Sequence, residues 1–445
     1  FCVSVPVLYT AVEWLRGSIL LGGFPWFHLG NSQPTWMIQI ADLGSFYAVG
    51  FVVATVNGLW LDLLMRPLVT AGPKGRRWAG SVRFGLPAVG LLLIATLLYG
   101  ALRTTQLDRA ADMARTIRVA VVQTNVPQSN KNSSSLEQLQ ANFDQMMELA
   151  EAAARKSPRP DLIVCPETMV PLPVNDQAVR RLSMAQMLRR RLSEFAQRHQ
   201  VHLVVGAHAW RNWQPKPDEP HKVRPTERHN AAYCFGPDGR ILGRYDKIHL
   251  VPFGEYIPGS EWFVFLKSAL LSLTPHGYDY TLQPGDQPVV IDLPLGDEKG
   301  TWGMGPPICF EDLVTDVPRM MVWSGGAKRV DLLVNLTNDG WYAGTAQGPQ
   351  HEQMARFRCV ENRVPMVRAV NTGISGFIDS AGRPVARVEV DGRLQKVAGI
   401  GSAQLAADPR GTLFGQIGLL PVVLCSLIGL GMILAGGMPK FRRSR

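Results

Sequence analysis

Hydropathy divides the chain into segments of two kinds. Four apolar stretches, 1–21, 46–65, 84–102 and 412–438, approach the roughly 20 residues that a bilayer core requires. The third and fourth carry no charge, and the second has only Asp62 near its end. The first contains Glu13 and Arg16, and an ionisable side chain inside a membrane normally faces a bundle interior or a wet cavity. A buried helix of a soluble domain is therefore a second reading of that stretch. The chain opens within this apolar run and without an initiator Met, so an N-terminally incomplete bundle is expected. From about 104 to 411 the pattern changes to short β-rich runs alternating with helical stretches. Residues 117–123, 161–165, 201–207, 231–235, 241–245 and 330–336 read as strands, and 136–155, 178–197 and 350–362 as helices. The Gly236-Pro-Asp-Gly239 sequence is a turn signal between two of the strands. Alternation of this kind predicts an α/β layered domain. Residues 212–228, rich in Pro, Lys and Glu, read as an exposed loop. The organisation expected is membrane helices over 1–103, a polar domain over 104–411, a last membrane helix over 412–438 and a basic tail over 439–445.

Composition agrees with this division, because 46% hydrophobic and 18% charged residues in 445 exceed what one soluble core uses. The net charge of +10 raises the possibility of a nucleic-acid partner, against which its distribution argues. Arg66, Lys74, Arg76, Arg77 and Arg83 fill the connection between the second and third stretches, and Lys440, Arg442, Arg443 and Arg445 follow the last. Positive charge in short loops marks the cytoplasmic side. Both clusters place the 104–411 domain outside the cytoplasm. Four of the six cysteines, Cys165, Cys234, Cys309 and Cys359, lie in that domain at spacings with no metal signature. No internal repeat or long low-complexity tract is apparent.

Three reactive side chains sit just past predicted strand ends. Glu167 follows the strand ending at Cys165, Lys247 follows Tyr245, and Cys309 closes the run Pro306-Pro307-Ile308. In open α/β sheets, ligands collect at the carboxyl ends of strands. Singly, each has an ordinary reading as a buried small apolar residue or a solvated charge. Their order and context carry more weight.

In that order and context the residues resemble the nitrilase superfamily of carbon-nitrogen hydrolases. The runs are Val121-Val-Gln-Thr-Asn-Val-Pro-Gln-Ser129, Pro166-Glu167-Thr168, Tyr245-Asp-Lys247-Ile-His-Leu-Val-Pro-Phe-Gly-Glu255-Tyr-Ile-Pro258, Ile308-Cys309-Phe310-Glu311 and Asn335-Leu-Thr-Asn-Asp-Gly-Trp341. Glu13-Trp-Leu-Arg-Gly17 and Gly23-Phe-Pro-Trp26 narrow the resemblance to the membrane-integrated apolipoprotein N-acyltransferase branch. It covers essentially the whole chain. The resemblance implies a nitrilase-like αββα sandwich domain inserted between transmembrane α-helices of a bacterial inner membrane, facing the periplasm or outside. It also implies a ping-pong acyl transfer from a phospholipid donor, through a thioester on Cys309, to the α-amine of a diacylglyceryl apolipoprotein. In that scheme Glu167 is the base and Lys247 the oxyanion partner; Glu255 and Glu311 support the site. No cofactor and no metal are expected, and a monomer is. The chain departs from the family pattern twice: Phe310 stands where a Tyr commonly follows the nucleophile, and Asn132 where a Trp is expected. Trp262, Phe263 and Phe265 would form a lid touching the bilayer, or else belong to a core helix. For Arg356, Arg358 and Arg363 a solvated helix face is expected, with phosphate head groups as the other reading. A membrane-anchored amidase or nitrilase is the alternative function; a non-enzymatic lipid-binding domain or a transporter accounts for the intact Glu, Lys and Cys less well.

Overall fold

The computed structural model describes residues 1–72, 75–111, 113–131, 135–216, 219, 222–257, 281–342 and 344–437. The chain forms two compact units, Phe1–Asp108 with Thr412–Arg445, and Arg109–Gly411.

The first unit is helical. Two of its helical stretches, Ala41–Met65 and Ser81–Ala111, are long and apolar enough to cross a membrane. Among the described residues, the other two apolar stretches fall short of the expected spans. The first holds an α-helix only over Ser4–Trp14, continues as a π-helix over Leu15–Ile19, and ends before Gly22 and Gly23, both at positive φ. The last breaks at Gly418, at φ 58° and ψ −136°, where Thr412 Oγ1 caps the helix Leu413–Ile417 by accepting from the Gly415 amide at 2.8 Å. Pro421, with no N–H to bond, sits in the first turn of the next helix, Leu420–Gly437, where it is tolerated. Polar groups in this unit are turned inward. The buried Glu13 carboxylate accepts from the Leu29 amide at 2.7 Å. Asp42, also buried, accepts from Tyr99 Oη at 2.7 Å and Arg103 Nε at 2.8 Å.

The second unit contains strands β1 (Thr116–Gln123), β2 (Leu162–Val164), β3 (His202–Pro215), β4 (Val223–Phe235), β5 (Ile241–Asp246), β6 (Ile291–Pro294), β7 (Thr301–Gly305), β8 (Leu332–Thr337), β9 (Met366–Val370), β10 (Gly376–Ile378), β11 (Pro384–Arg387) and β12 (Gly399–Ala406). They form two six-stranded sheets, in the orders β12-β1-β2-β3-β4-β5 and β11-β10-β9-β8-β7-β6. The central strands β1, β2 and β3 run parallel, as do β7, β8 and β9, with antiparallel strands at the edges. Ile117, Val119 and Val121 point to the inter-sheet core with Trp302, Met304, Leu332 and Val334. Their neighbours Ala120 and Val122 pack outward against helices α1 (Leu136–Ala154) and α2 (Ser183–His199), on Phe143, Met146, Leu188 and Phe195. On the other outer face Leu333 and Met366 meet α3 (Asp316–Val322) and α4 (Gln347–Asn362) through Val322, Ala355 and Cys359. The layers are therefore α, β, β, α. Strands buried on both faces are uninterrupted apolar runs, which is why they were legible in the sequence.

Two expectations are corrected here. Residues 212–228 are not a loop over most of their length: β3 and β4 extend as a long antiparallel ribbon, with Arg211 opposite Glu227, Trp213 opposite Pro225 and Pro215 opposite Val223. Its polar composition reflects solvent contact, since the outer half of β4 alternates between exposed and half-buried positions while Ala231–Phe235 is buried. Arg358 and Arg363 do not form a solvated face, being 1% and 0% exposed. Arg358 donates to the Leu313 carbonyl, Thr315 Oγ1 and Glu361, and Arg363 to the Ser380 carbonyl. A buried guanidinium requires such a ring of acceptors.

Candidate active site

Glu167, Lys247 and Cys309 leave three different strands and come together. Glu167 lies three residues past the end of β2, in a turn that returns to β3 at the Val170–Ala207 bridge. This turn passes so close to β3 that a Cβ on Gly206 would lie 2.5 Å from the Thr168 nitrogen and 2.6 Å from the Glu167 Cα. Only glycine admits that approach. Lys247 directly follows β5, and its amide donates to the Asn230 carbonyl at 2.8 Å, which carries the pairing with β4 one residue further. Cys309 opens a 3₁₀ turn, Cys309–Asp312, after a bridge between Ile308 and Leu336 of β8.

The Cys309 backbone is strained. Its φ of 50° places a non-glycine residue in the left-handed region, at a cost of about 1 kcal/mol or more. Neighbouring groups hold it there. Asn335 Nδ2 of β8 donates to the carbonyls of Pro307 at 3.2 Å and Cys309 at 3.1 Å. Glu311 Oε2 accepts from the Ile308 amide at 2.8 Å. Its Oε1 accepts from Tyr245 Oη at 2.7 Å and from the amides of Ile248 and His249 at 2.8 and 2.9 Å. Glu311 thus fastens the cysteine turn to the segment after Lys247, which goes beyond capping a first helical turn. Burial pushes its carboxyl up to about 7, against the opposing pull of Lys247 and these donors.

Glu255 pairs with Lys247, whose Nζ lies 2.9 and 2.8 Å from its two oxygens. Its Oε2 also accepts from the Val251 amide at 2.9 Å. Asn230 links the acids: its Nδ2 donates to Glu167 Oε1 at 2.6 Å and to Glu255 Oε1 at 3.2 Å. Lys247 is 1% exposed, and burial alone would push its ammonium down. The surrounding negative charges, Glu255 foremost, outweigh burial and raise it above the usual lysine value. Cys309 keeps partial exposure, while its thiol is raised well above the usual value by burial first and then by Glu167; Lys247 pulls it down. The Cys309 thiol is thus set between the opposing influences of Glu167 and Lys247. Phe310 is buried and stacks on His249 at 6.1 Å, so this position supplies an apolar wall and no hydroxyl.

Several residues of the site were not visible in the sequence. Asn230 looks like a polar residue at the start of a β-run, and only the fold brings it to the two acids, 63 and 25 positions away. Tyr245 reads as a strand end in the sequence and is an anchor for Glu311 in the fold. His351 of α4 links Asp312 and Asp339, which precede it by 39 and 12 positions. Asn132, Trp262, Phe263 and Phe265 lie outside the described residues. Among the described residues no cluster of His, Cys, Asp or Glu could hold a metal ion.

The sequence has recognisable relatives. Residues 118–416 match the family described as carbon-nitrogen hydrolase, and residues 1–59 match the apolipoprotein N-acyltransferase N-terminal domain. The chain is 33% identical over 383 residues to an apolipoprotein N-acyltransferase of Geobacter metallireducens, covering 85% of this chain and 64% of that protein. It is 28% identical over 443 residues to one of Rhodopseudomonas palustris, covering 97% and 72%. The chain thus spans less than two thirds of the length of the first. Among solved structures, it is similar to a carbon-nitrogen hydrolase from Helicobacter pylori G27, with a TM-score of 0.45 and 15% identity over 74% of this chain and 97% of that one.

Proposed function

The chain belongs to the carbon-nitrogen hydrolase family, and from that premise we propose that it transfers a fatty acyl group from a phospholipid to the N-terminal amine of a diacylglyceryl apolipoprotein. One conjunction carries the reading. A cysteine flanked by Glu167 and Lys247 shares a chain with an N-terminal segment matching the apolipoprotein N-acyltransferase N-terminal domain and with two membrane-length apolar helices.

Cys309 is the nucleophile and Glu167 the general base. As the thiol attacks the ester carbonyl, its proton passes to Glu167, and the carbonyl oxygen becomes an oxyanion beside the Lys247 ammonium. A fixed donor at such an oxyanion contributes about 10²–10³-fold in rate. The tetrahedral adduct expels the lysophospholipid alkoxide, which takes the proton from Glu167 and leaves an acyl-thioester. The lipoprotein amine then attacks the thioester and loses its proton to Glu167. Collapse forms the amide, and the sulfur regains a proton from the same acid. Aminolysis of a thioester is downhill, so neither a nucleotide nor a metal is called for. Glu255 fixes the Lys247 ammonium, and Glu311 fixes the Cys309 turn. The two basic segments, 66–83 and 440–445, support the reading of a multi-pass protein of a bacterial inner membrane with its α/β unit outside the cytoplasm.

The test is intact-protein mass spectrometry after incubation with phospholipid and no acceptor. A fatty-acyl mass mapping to Cys309, with one lysophospholipid released per adduct, is expected. Turnover by protein that remains unmodified refutes the scheme. Ammonia released from small amides, without a lipid adduct, assigns the hydrolase function instead.

A further inference from the structure

Behind the cysteine turn lies a buried ionic cluster for which the acyl-transfer scheme has no role. His351, 2% exposed, projects from α4 between two carboxylates. Its Nε2 is 2.8 Å from Asp312 Oδ1 and its Nδ1 is 3.0 Å from Asp339 Oδ1. Asp312 closes the 3₁₀ turn that Cys309 opens, and Asp339 opens the 3₁₀ turn Asp339–Tyr342 just past β8. A neutral imidazole has one N–H, and ionised carboxylates only accept, so satisfying both contacts requires the doubly protonated ring. Arg368 of β9 completes the cluster, donating to the His351 carbonyl at 3.0 Å and lying 3.3 Å from Asp312 Oδ2. Gln347 Nε2 adds a neutral donor to Asp339 Oδ1 at 2.9 Å. Two carboxylates thus meet two cations, and charges buried this deeply are tolerated only when matched.

Resting on the acyl-transfer reading above for its purpose but not for its test, we propose that His351 is a positioning residue: as an imidazolium it clamps the Cys309–Asp312 turn to the Asp339–Tyr342 turn and balances the charge behind the nucleophile. Three observations support it. The Cys309 backbone is in a strained conformation that needs external restraint. Asp339 is among the charges that push the Cys309 thiol up, so its neutralisation bears directly on the nucleophile. The space around Asp339 is also fitted to it, since a Cβ on Gly373 would lie 2.2 Å from Asp339 Oδ2. Burial disfavours the charged ring, but Asp312 and Asp339 outweigh burial and Arg368 and hold His351 up to about 9. Removing the imidazolium leaves one cation, Arg368, against two carboxylates. Added negative charge near a thiol disfavours its thiolate.

The experiment is alkylation of Cys309 by iodoacetamide in the full chain in detergent, across a range of pH, with the modified cysteine identified by peptide mass. His351→Gln retains a donor but not the charge. Its alkylation at pH 8 is expected to be about tenfold slower or worse, with the profile displaced upward by about one unit or more. The double variant His351→Gln/Asp339→Asn restores the balance of charge and should recover most of that loss. Gly373→Ala, which displaces Asp339 without altering any charge, should also change the alkylation profile, and it serves if His351→Gln does not fold. A His351→Gln profile superimposable on wild type, with only the melting temperature lowered, overturns the proposal, as does failure of the double variant to recover any reactivity. Alkylation needs no phospholipid, so loss of the acyl-transfer reading, seen as no lipid adduct on wild type, is a separate result.

Discussion

The helical unit and the α/β unit solve the burial of charge under opposite conditions. In the helical unit the apolar side chains face outward, with Leu91, Leu98 and Leu102 each at least 60% exposed, while Glu13 and Asp42 are hidden. In the α/β unit Phe143 and Phe195 are hidden and most charges face water, but Lys247, Glu311, Asp312, Asp339 and His351 are buried at the site. Each unit buries ions only where partners meet them, as Arg103 meets Asp42 and Glu255 meets Lys247. The same pairing has different consequences. In the helical unit it lets a polar group exist within an apolar surround, whereas in the α/β unit it holds Lys247 and Glu255 at fixed distances in a buried site, where charge acts most strongly.

The contrast breaks most visibly at Cys309, the proposed nucleophile. Cys309→Ala should abolish acyl-enzyme formation, a loss on the order of 10⁴-fold or more, with an unchanged melting temperature, because deleting a strained and partly exposed thiol removes little packing. Mass spectrometry of the adduct and thermal unfolding in detergent check both halves. A variant that loses activity only by unfolding contradicts a purely chemical role for the thiol.

A pH series separates the units next. His351 is raised from 6.5 to about 9 in the fold, so its contribution is complete below pH 6.5 and lost as the pH rises through about 9. That shift corresponds to about 3 kcal/mol. Glu311, raised from 4.5 to about 7, acts in the same direction in a lower window. Hydrogen exchange read by peptide should show α4 and β8 losing protection between pH 6.5 and 9, after correction for intrinsic exchange rates. Peptides from Ala41–Met65 should show no such window. Slightly smaller is the effect of Glu255→Gln, which leaves Lys247 buried without its carboxylate. About 10²-fold slower acylation is expected, with KM for phospholipid little changed, because the oxyanion partner is then poorly placed.

Much of the fold was legible because burial writes itself into composition. β2 is apolar and buried on both faces, and β8 is so except for Asn335 and Thr337; Glu167 follows the first of these, whereas Lys247 follows β5, which carries Arg244 and Asp246. The β3–β4 ribbon was not legible, because past Ala231 it leaves the sandwich and its residues no longer need to be apolar. The burial of Arg358, Arg363 and His351 is illegible in the sequence for a related reason. Polar residues on a helix look solvated until their acceptors are known, and those acceptors come from Leu313, Thr315, Asp312 and Ser380, distant in sequence. The four apolar stretches were correctly found as apolar, but hydropathy registers neither the π-helical turn at Leu15–Ile19 nor the break at Gly418. Composition reports the solvent a segment prefers, and only packing reports where its backbone must turn.

The smallest effects lie in the helical unit and sharpen the contrast most. Asp42→Asn leaves Arg103 without its ionic partner and weakens the acceptor for Tyr99. In lipid such polar contacts average about 0.6 kcal/mol and reach about 1.7 kcal/mol, because the unfolded helices find other partners. A loss of about 1–2 kcal/mol in a denaturation titration in bicelles is therefore expected, the upper part of that range reflecting the three-way contact. Leu98→Ala, on the 60% exposed outer face, should change stability by less than about 0.5 kcal/mol in the same titration, since the lost methyl groups contact lipid in both states. Phe143→Ala in the α/β unit, 0% exposed, supplies the scale at about 3–5 kcal/mol. If Leu98→Ala weakens the protein as much as Asp42→Asn does, the outer apolar face is packed on protein instead of lipid, and the inward-polar, outward-apolar account of the helical unit fails.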